Sequence, residues 1–209
     1  MSPYTVFVID DDNGVRKALA RLLLGGGFNV QTFSSPETFL EKHDPAVPGC
    51  VVLDLVMPGM TGLELQEALR LSGSGRFVIF LTGRGDVPSS VRAMKAGAVD
   101  FLTKPVARGD LMRAVNVAIE SDRRSRLAND ELFAIEQRLA TLTRREREVL
   151  QFVAAGHLNK QTAADLGVCE KTIKVHRARV MEKMGVRSLA ELVRVVQRLG
   201  ISSIDEVHR

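Results

Sequence analysis

The chain has 209 residues, 45% of them apolar and 26% charged, with a formal net charge of +4. That composition fits one or two ordinary globular domains and excludes fibrous, mucin-like and disordered chains. No apolar run approaches the ~18 residues of a membrane span, and Ser2-Pro3 leads straight into a short apolar segment without signal-peptide anatomy, so a cytoplasmic protein with no membrane partner is expected.

In chain order, strand-like apolar runs alternate with helix-period segments. The strands are expected at Thr5–Ile9, Phe28–Phe33, Cys50–Leu55, Phe77–Leu81 and Val99–Leu102. After the first, Val15, Leu19, Leu22 and Leu23 recur at helical spacing until Gly25-Gly26-Gly27 stops them. Val51, Val52 and Leu53 are consecutive apolar residues, as in a parallel strand covered on both faces. The pattern predicts an α/β fold of five parallel strands wrapped by five helices.

From Asp110 to Ala155 there is neither glycine nor proline, and Ser121–Arg126 is a polar stretch that no core accepts. A domain boundary is expected there. Beyond it, Ala128, Leu132, Ile135, Leu139 and Leu142 keep heptad spacing for about two heptads, which leaves open either self-pairing or packing against a neighbouring domain.

The rest reads as helices. Thr143 with Glu146 forms a capping-box pattern, and Val149, Leu150 and Val153 continue until Gly156. Asn159 is expected to cap a short helix bearing Ala163 and Leu166. Gly167-Val168-Cys169 turns into a long helix with Ile173, Val180 and Met184 on one side, the pattern of a helix-turn-helix. A last helix near Ser188–Leu199 closes the bundle before Gly200 and a frayed tail. Charge follows the same division. Residues 1–121 carry 12 Lys and Arg against 13 Asp and Glu, whereas residues 143–200 carry 12 against 6, which points to a polyanion partner for the second half. Cys50 and Cys169 have no Cys or His partner in sequence and are expected to be reduced.

Asp10, Asp11 and Asp12 follow the first strand, and Asp54 ends the third. In a flavodoxin-like sheet of order 2-1-3-4-5 these strands are neighbours at the switch point, where ligands bind, so the acids are expected to converge. Crowded carboxylates repel unless a cation sits among them, and a hard divalent ion such as Mg²⁺ accepts that oxygen set. Thr82-Gly83 ends the fourth strand and Lys104-Pro105 follows the fifth, adding a hydroxyl and a cation to the same edge.

With Asp10-Asp11, the segment Val51 to Gly62 around Asp54, Thr82-Gly83, and Ala96-Gly97-Ala98 leading to Lys104-Pro105, the chain resembles the receiver domain of two-component response regulators of the FixJ/NarL type over residues 4–120. The resemblance implies phosphorylation of Asp54 by a sensor histidine kinase. It implies Mg²⁺, with Mn²⁺ as the alternative ion, held by Asp10, Asp11, Asp54 and the carbonyl of Val56. Lys104, Thr82 and Gly83 would bind the phosphate. Phe101 is either an aromatic switch following Thr82 or a plain core residue. It also implies a cis bond at Lys104-Pro105. Asp12 has an alternative reading as a first-turn charge for the first helix.

Residues 142–199 resemble the LuxR-type helix-turn-helix of the same regulators, through Leu142–Leu150, Gly156, Asn159-Lys160 and Thr172–His176. They depart from it at Cys169, where a serine cap is usual, and at Thr162, where an aliphatic residue is. By this resemblance Lys174, Val175 and Ala178 read bases in the major groove, while Lys160, Lys171, Thr172, Arg177, Arg179 and Lys183 position phosphates. His176 is expected to be packed rather than metal-bound. The domains expected are a receiver at 1–121, a helical linker at 122–141 and an all-α four-helix DNA-binding domain at 142–209. The function expected is a phosphorylation-controlled transcription regulator, at most self-phosphorylating and slowly dephosphorylating itself, and otherwise no enzyme. It would form a homodimer through Val91, Lys95 and Phe101, bind double-stranded DNA, and contact RNA polymerase if it activates. The rivals are an aspartate-nucleophile phosphatase, which Val56 in place of an acid disfavours, and a constitutive DNA binder with an inert receiver.

Overall fold

A computed structural model describes residues 3–83 and 87–200, with side chains for all of these except 87–89; the frayed tail expected beyond Gly200 lies outside the described residues. Five strands, β1 (Thr5–Ile9), β2 (Asn29–Phe33), β3 (Gly49–Asp54), β4 (Phe77–Thr82) and β5 (Asp100–Thr103), form one sheet. Its order is β2-β1-β3-β4-β5 and every pairing is parallel. Helices α1 (Asn13–Leu24), α2 (Pro36–Lys42), α3 (Gly62–Leu71), α4 (Val87–Lys95) and α5 (from Arg108) follow the strands in turn. The flavodoxin-like topology expected from the sequence is the one observed, with strand ends within a residue of expectation.

Both faces of the sheet are covered. All residues of β1 and β3 are buried, and period-two alternation sends their side chains to opposite sides. Val6, Val8, Cys50, Val52, Ile79 and Leu81 pack with Leu19 and Leu23 of α1 and Leu111 and Val115 of α5. Phe7, Ile9, Val51, Leu53 and Phe80 pack with Phe39 of α2 and Leu65 and Leu69 of α3. Local capping sets the helix starts. Asp12 accepts from the Gly14 and Val15 amides to begin α1, and Thr61 with Glu64 makes a reciprocal capping box for α3.

Helix α5 runs without interruption from Arg108 to Ala140, and the chain divides into two compact units inside it, at Arg126 and Leu127. Residues 122–140 of the expected linker are therefore helical. The second unit adds α6 (Arg144–Ala154), α7 (Asn159–Asp165), α8 (Glu170–Met184) and α9 (Leu189–Arg198). Its core joins Val149, Leu150, Val153, Ile173, Val180, Met184, Leu192 and Val196 to Ile135 and Leu142, with Leu139 packed alongside. The heptad stripe thus packs, in its second half, against the helices that follow it.

Among the described residues no helix is long and apolar enough to cross a membrane. Both cysteines are free, Cys50 buried and Cys169 exposed. The Lys104-Pro105 bond is cis.

Candidate functional site

Parallel pairing carries chemistry to one edge of the sheet. Ile9 stands opposite Leu53, so Asp10 and Asp54, one residue further on each strand, arrive side by side. Carboxylate oxygens of Asp10, Asp11 and Asp54 lie within 4.8 Å of one another. Asp10 is fully buried and Asp54 nearly so, whereas Asp11 is exposed. Lys104 Nζ, delivered from the end of β5, donates to Asp10 Oδ2 at 2.6 Å and sits 3.1 Å from Asp54 Oδ2. Asp10 Oδ1 accepts from the Asp12 amide at 2.9 Å, and Arg16 Nη1 donates to the Asp10 carbonyl at 2.6 Å.

Burial pushes the Asp54 carboxyl above the ordinary aspartate range, against the hydrogen bond and charge of Lys104, and the charge of Asp10 adds to the rise. Lys104 loses basicity through burial but gains more from its hydrogen bonds to Asp10 and Asp54, and its ammonium is held above the usual lysine value. A lysine alone balances one of three clustered acids. The uncompensated oxygens, hard and partly open to solvent, suit a divalent cation. Asp12 stands outside the cluster. Its side chain caps α1, and the amides of Val15 and Gly14 lower its pKa, which favours its helix-start reading.

Beside Asp54 opens a cleft of about 790 Å³, bordered by Val56, Leu63, Glu64, Thr82, Gly83, Arg92 and Lys104. Thr82 is buried at the end of β4, and its carbonyl accepts from the Lys104 amide at 2.7 Å. Val56 is exposed at the mouth. Phe101 is half-buried on β5, its ring 6.3 Å from that of Phe80. Val91 and Lys95 are exposed on α4. Glu64, in the first turn of α3, and Arg92, in the last turn of α4, also border this cleft; spacing alone does not select which charge faces in. Gly62 is also needed here, because a Cβ on it would stand 2.4 Å from the Asp54 carbonyl oxygen.

In the second unit α7 and α8 are joined by a short turn, with Ile173, Val180 and Met184 buried. Lys171, Lys174, Val175, Ala178 and Arg179 are exposed on the opposite side of α8, and Lys160 is exposed on α7. Lys174 Nζ is 3.4 Å from Glu170, an exposed pair one turn apart. Cys169, at the N-cap of α8, makes no side-chain capping bond; its Sγ lies 3.1 Å from the Thr172 hydroxyl. His176 is half-buried and among the described residues its Nδ1 finds no partner.

Three expectations for this unit change. Lys183 does not stand free for a phosphate: its Nζ donates to buried Glu146 at 2.6 Å and to the Thr141 carbonyl at 3.1 Å. Arg177 is half-buried and donates to Asn159 Oδ1 at 3.2 Å. Asn159 therefore does not cap α7. The helix begins one residue earlier than a cap at Asn159 requires, and the amide of Leu158 is satisfied by Gln161 Oε1 at 2.8 Å.

Comparison with known proteins agrees with this geometry. Residues 6–116 match the family model of the response regulator receiver domain, and residues 140–196 that of bacterial regulatory proteins of the luxR family. The response regulator protein TodT of Pseudomonas putida is 42% identical over 194 residues, 93% of this chain and 86% of that protein. The transcriptional regulatory protein FixJ of Rhizobium meliloti is 44% identical over 195 residues, 93% and 96% of the two chains. Among solved structures, that of the response regulator StyR is 46% identical and superposes with a TM-score of 0.83 over 94% of this chain and all of that one. Full-length FixJ from B. japonicum, at 39% identity, gives 0.59 over 97% and 100%. With its acid-lined sheet edge and its helix-turn-helix both matched, the chain belongs to the response regulators that join a receiver to a LuxR-type DNA-binding domain.

Proposed function

We propose that this chain accepts a phosphoryl group on Asp54 from a sensor histidine kinase and, so modified, binds duplex DNA to control transcription in the cytoplasm. One observation carries the reading: Asp10, Asp11 and Asp54 gather at the strand ends with Lys104 among them. An Asp54 carboxylate oxygen attacks phosphorus in line while the bond to the donor breaks, leaving an acyl phosphate on the side chain. Asp10, Asp11, Asp54 and the Val56 carbonyl would hold Mg²⁺, or Mn²⁺ in its place. A divalent ion bound there supplies countercharge for the transferred group. Lys104 provides a second cation for the phosphoryl oxygens, Thr82 a hydroxyl and Gly83 an unobstructed backbone. Phe101 then follows Thr82, and Val91, Lys95 and Phe101 belong to the face that pairs two copies.

On DNA, Lys174, Val175 and Ala178 would meet base edges, with Lys160, Lys171, Thr172 and Arg179 on phosphates. Arg177 joins them only by leaving Asn159. RNA polymerase is a partner if the outcome is activation. Residues 1–121 serve as receiver, 122–141 as helical connection and 142–209 as DNA-binding domain. The test is intact mass after incubation with Mg²⁺ and a small acyl phosphate. One added phosphoryl group, absent in Asp54→Asn, is expected. An unmodified wild-type chain would sink the proposal and favour a constitutive DNA binder.

A further inference from the structure

Except for its final residue, Ala140, the tail of α5 lies before the luxR-family match, yet it belongs to the same compact unit as α8. Its contacts with α8 concentrate at the C-terminal end of α8. Arg138 Nη1 donates to the Met184 carbonyl at 3.4 Å. The same guanidinium lies over Gly185, where a Cβ would meet Nη1 at 3.1 Å and Cζ at 3.4 Å. Gly185 ends α8 in the left-handed region, φ +67°, its amide donating to Glu182 and that of Val186 to Met181. Just before it, Lys183 reaches back to the Thr141 carbonyl that follows α5.

The final carbonyls of a helix have no partner within it and carry partial negative charge. Arg138 bridges this end to the tail of α5, and Lys183 ties it to Thr141, just beyond α5, and to Glu146 of α6. Lys174, Val175 and Ala178 ride on the same rigid helix, so the direction in which they point is set by how its two ends are held. At its N-terminal end Cys169 gives no side-chain cap, and along its length α8 packs on α6 and α7, so the contact with α5 adds a hold specific to the C-terminal end.

We infer that Arg138 is a positioning residue for DNA recognition, and that the tail of α5 works as an additional helix of the DNA-reading module, fixing the pose of α8. The inference rests on α8 being the DNA-reading helix.

Arg138 is exposed and its bond is long, so its loss leaves the fold intact and its effect is read in discrimination rather than stability. The full-length chain is compared with Arg138→Gln, Arg138→Lys and the control Arg198→Gln, which breaks the 3.0 Å Glu131–Arg198 pair between α5 and α9 without touching α8. In Arg138→Gln, amide hydrogen exchange at Gly185 and Val186 is expected to rise about fivefold while Val149 and Leu150 stay protected. Affinity for the duplex that the wild-type chain selects from random sequence should fall about tenfold, and affinity for random duplex about twofold at most. Lysine restores most of both, and Arg198→Gln changes neither. Equal loss on the two duplexes makes Arg138 a phosphate contact and overturns the inference, as does an equal effect of Arg198→Gln. A wild-type chain that selects no duplex marks failure of the DNA reading instead. The exchange measurement then decides alone, and unchanged rates at Gly185 and Val186 overturn the docking.

Discussion

Glu146 and Lys183 lie 37 positions apart in sequence and 2.6 Å apart in space, and this one pair shows how a charge changes meaning on folding. On α8 the lysine looks like another member of a basic face. Packing of α6 against α8 brings it instead to a carboxylate that is only 3% exposed. The hydrogen bond from Lys183, then the Thr143 amide, lower the Glu146 pKa from 4.5 to about 2. Because the folded value is the lower one, the pair stabilises fully above about pH 4.5 and loses its contribution as pH falls toward 2. With the lysine partly wet, the loss should be about 2 kcal/mol. Urea unfolding of the helical unit, followed from pH 5 to pH 2, is expected to show this decline in the wild type and a flatter profile in Glu146→Gln. A parallel decline in both would rule the pair out as the cause. No spacing rule pairs residues so far apart, so the Lys183–Glu146 and Asn159–Arg177 contacts are invisible in sequence, whereas the gathering of Asp10, Asp11, Asp54 and Lys104 at strand ends follows from topology alone.

Helix α5 poses the same problem one level up. The polar stretch Ser121–Arg126 argues for a boundary, and a compact unit does end there, yet the helix runs through it. Its continuity is stabilised by contacts of which sequence spacing displays only the pairs within the helix. Asp122, 3% exposed, accepts from the Gly49 amide at 3.0 Å and from Arg126 Nε at 3.0 Å. Arg126 also donates to the Pro45, Ala46 and Val47 carbonyls in the loop before β3. Glu120 pairs with both Arg123 and Arg124 on the exposed side. Removing the arginine leaves a buried anion without its nearest cation, so Arg126→Ala should cost the receiver unit about 3 kcal/mol. Asp122→Ala, which leaves Gly49 without its acceptor, should cost about 2 kcal/mol. The double substitution is expected to cost clearly less than their sum, measured by urea unfolding; a strictly additive result would deny the coupling. The strands were easier to read, because burial on both faces turns them into uninterrupted apolar runs.

At the scale of the molecule the two units differ in charge. Residues 1–121 are close to neutral and residues 143–200 carry twice as many basic as acidic residues. That contrast was legible in composition, and the structure refines it. With Lys183 bound to Glu146 and Arg177 to Asn159, the cations exposed on α7 and α8 are Lys160, Lys171, Lys174 and Arg179. A protein that neutralises phosphates displaces condensed counterions, so its affinity falls with salt in proportion to the contacts made. Lys160→Ala is expected to weaken binding to selected and random duplex alike and to reduce the slope of log K against log salt by about 1 per protomer. Lys174→Ala should instead weaken the selected duplex more than the random one, because a lost base contact removes discrimination. Lys183→Ala, by contrast, should leave the salt slope unchanged and lower the stability of the helical unit. Titrations between about 50 and 200 mM salt separate the three classes. A Lys183→Ala slope as shallow as that of Lys160→Ala would return Lys183 to the DNA surface and show that its bond to Glu146 opens when duplex binds.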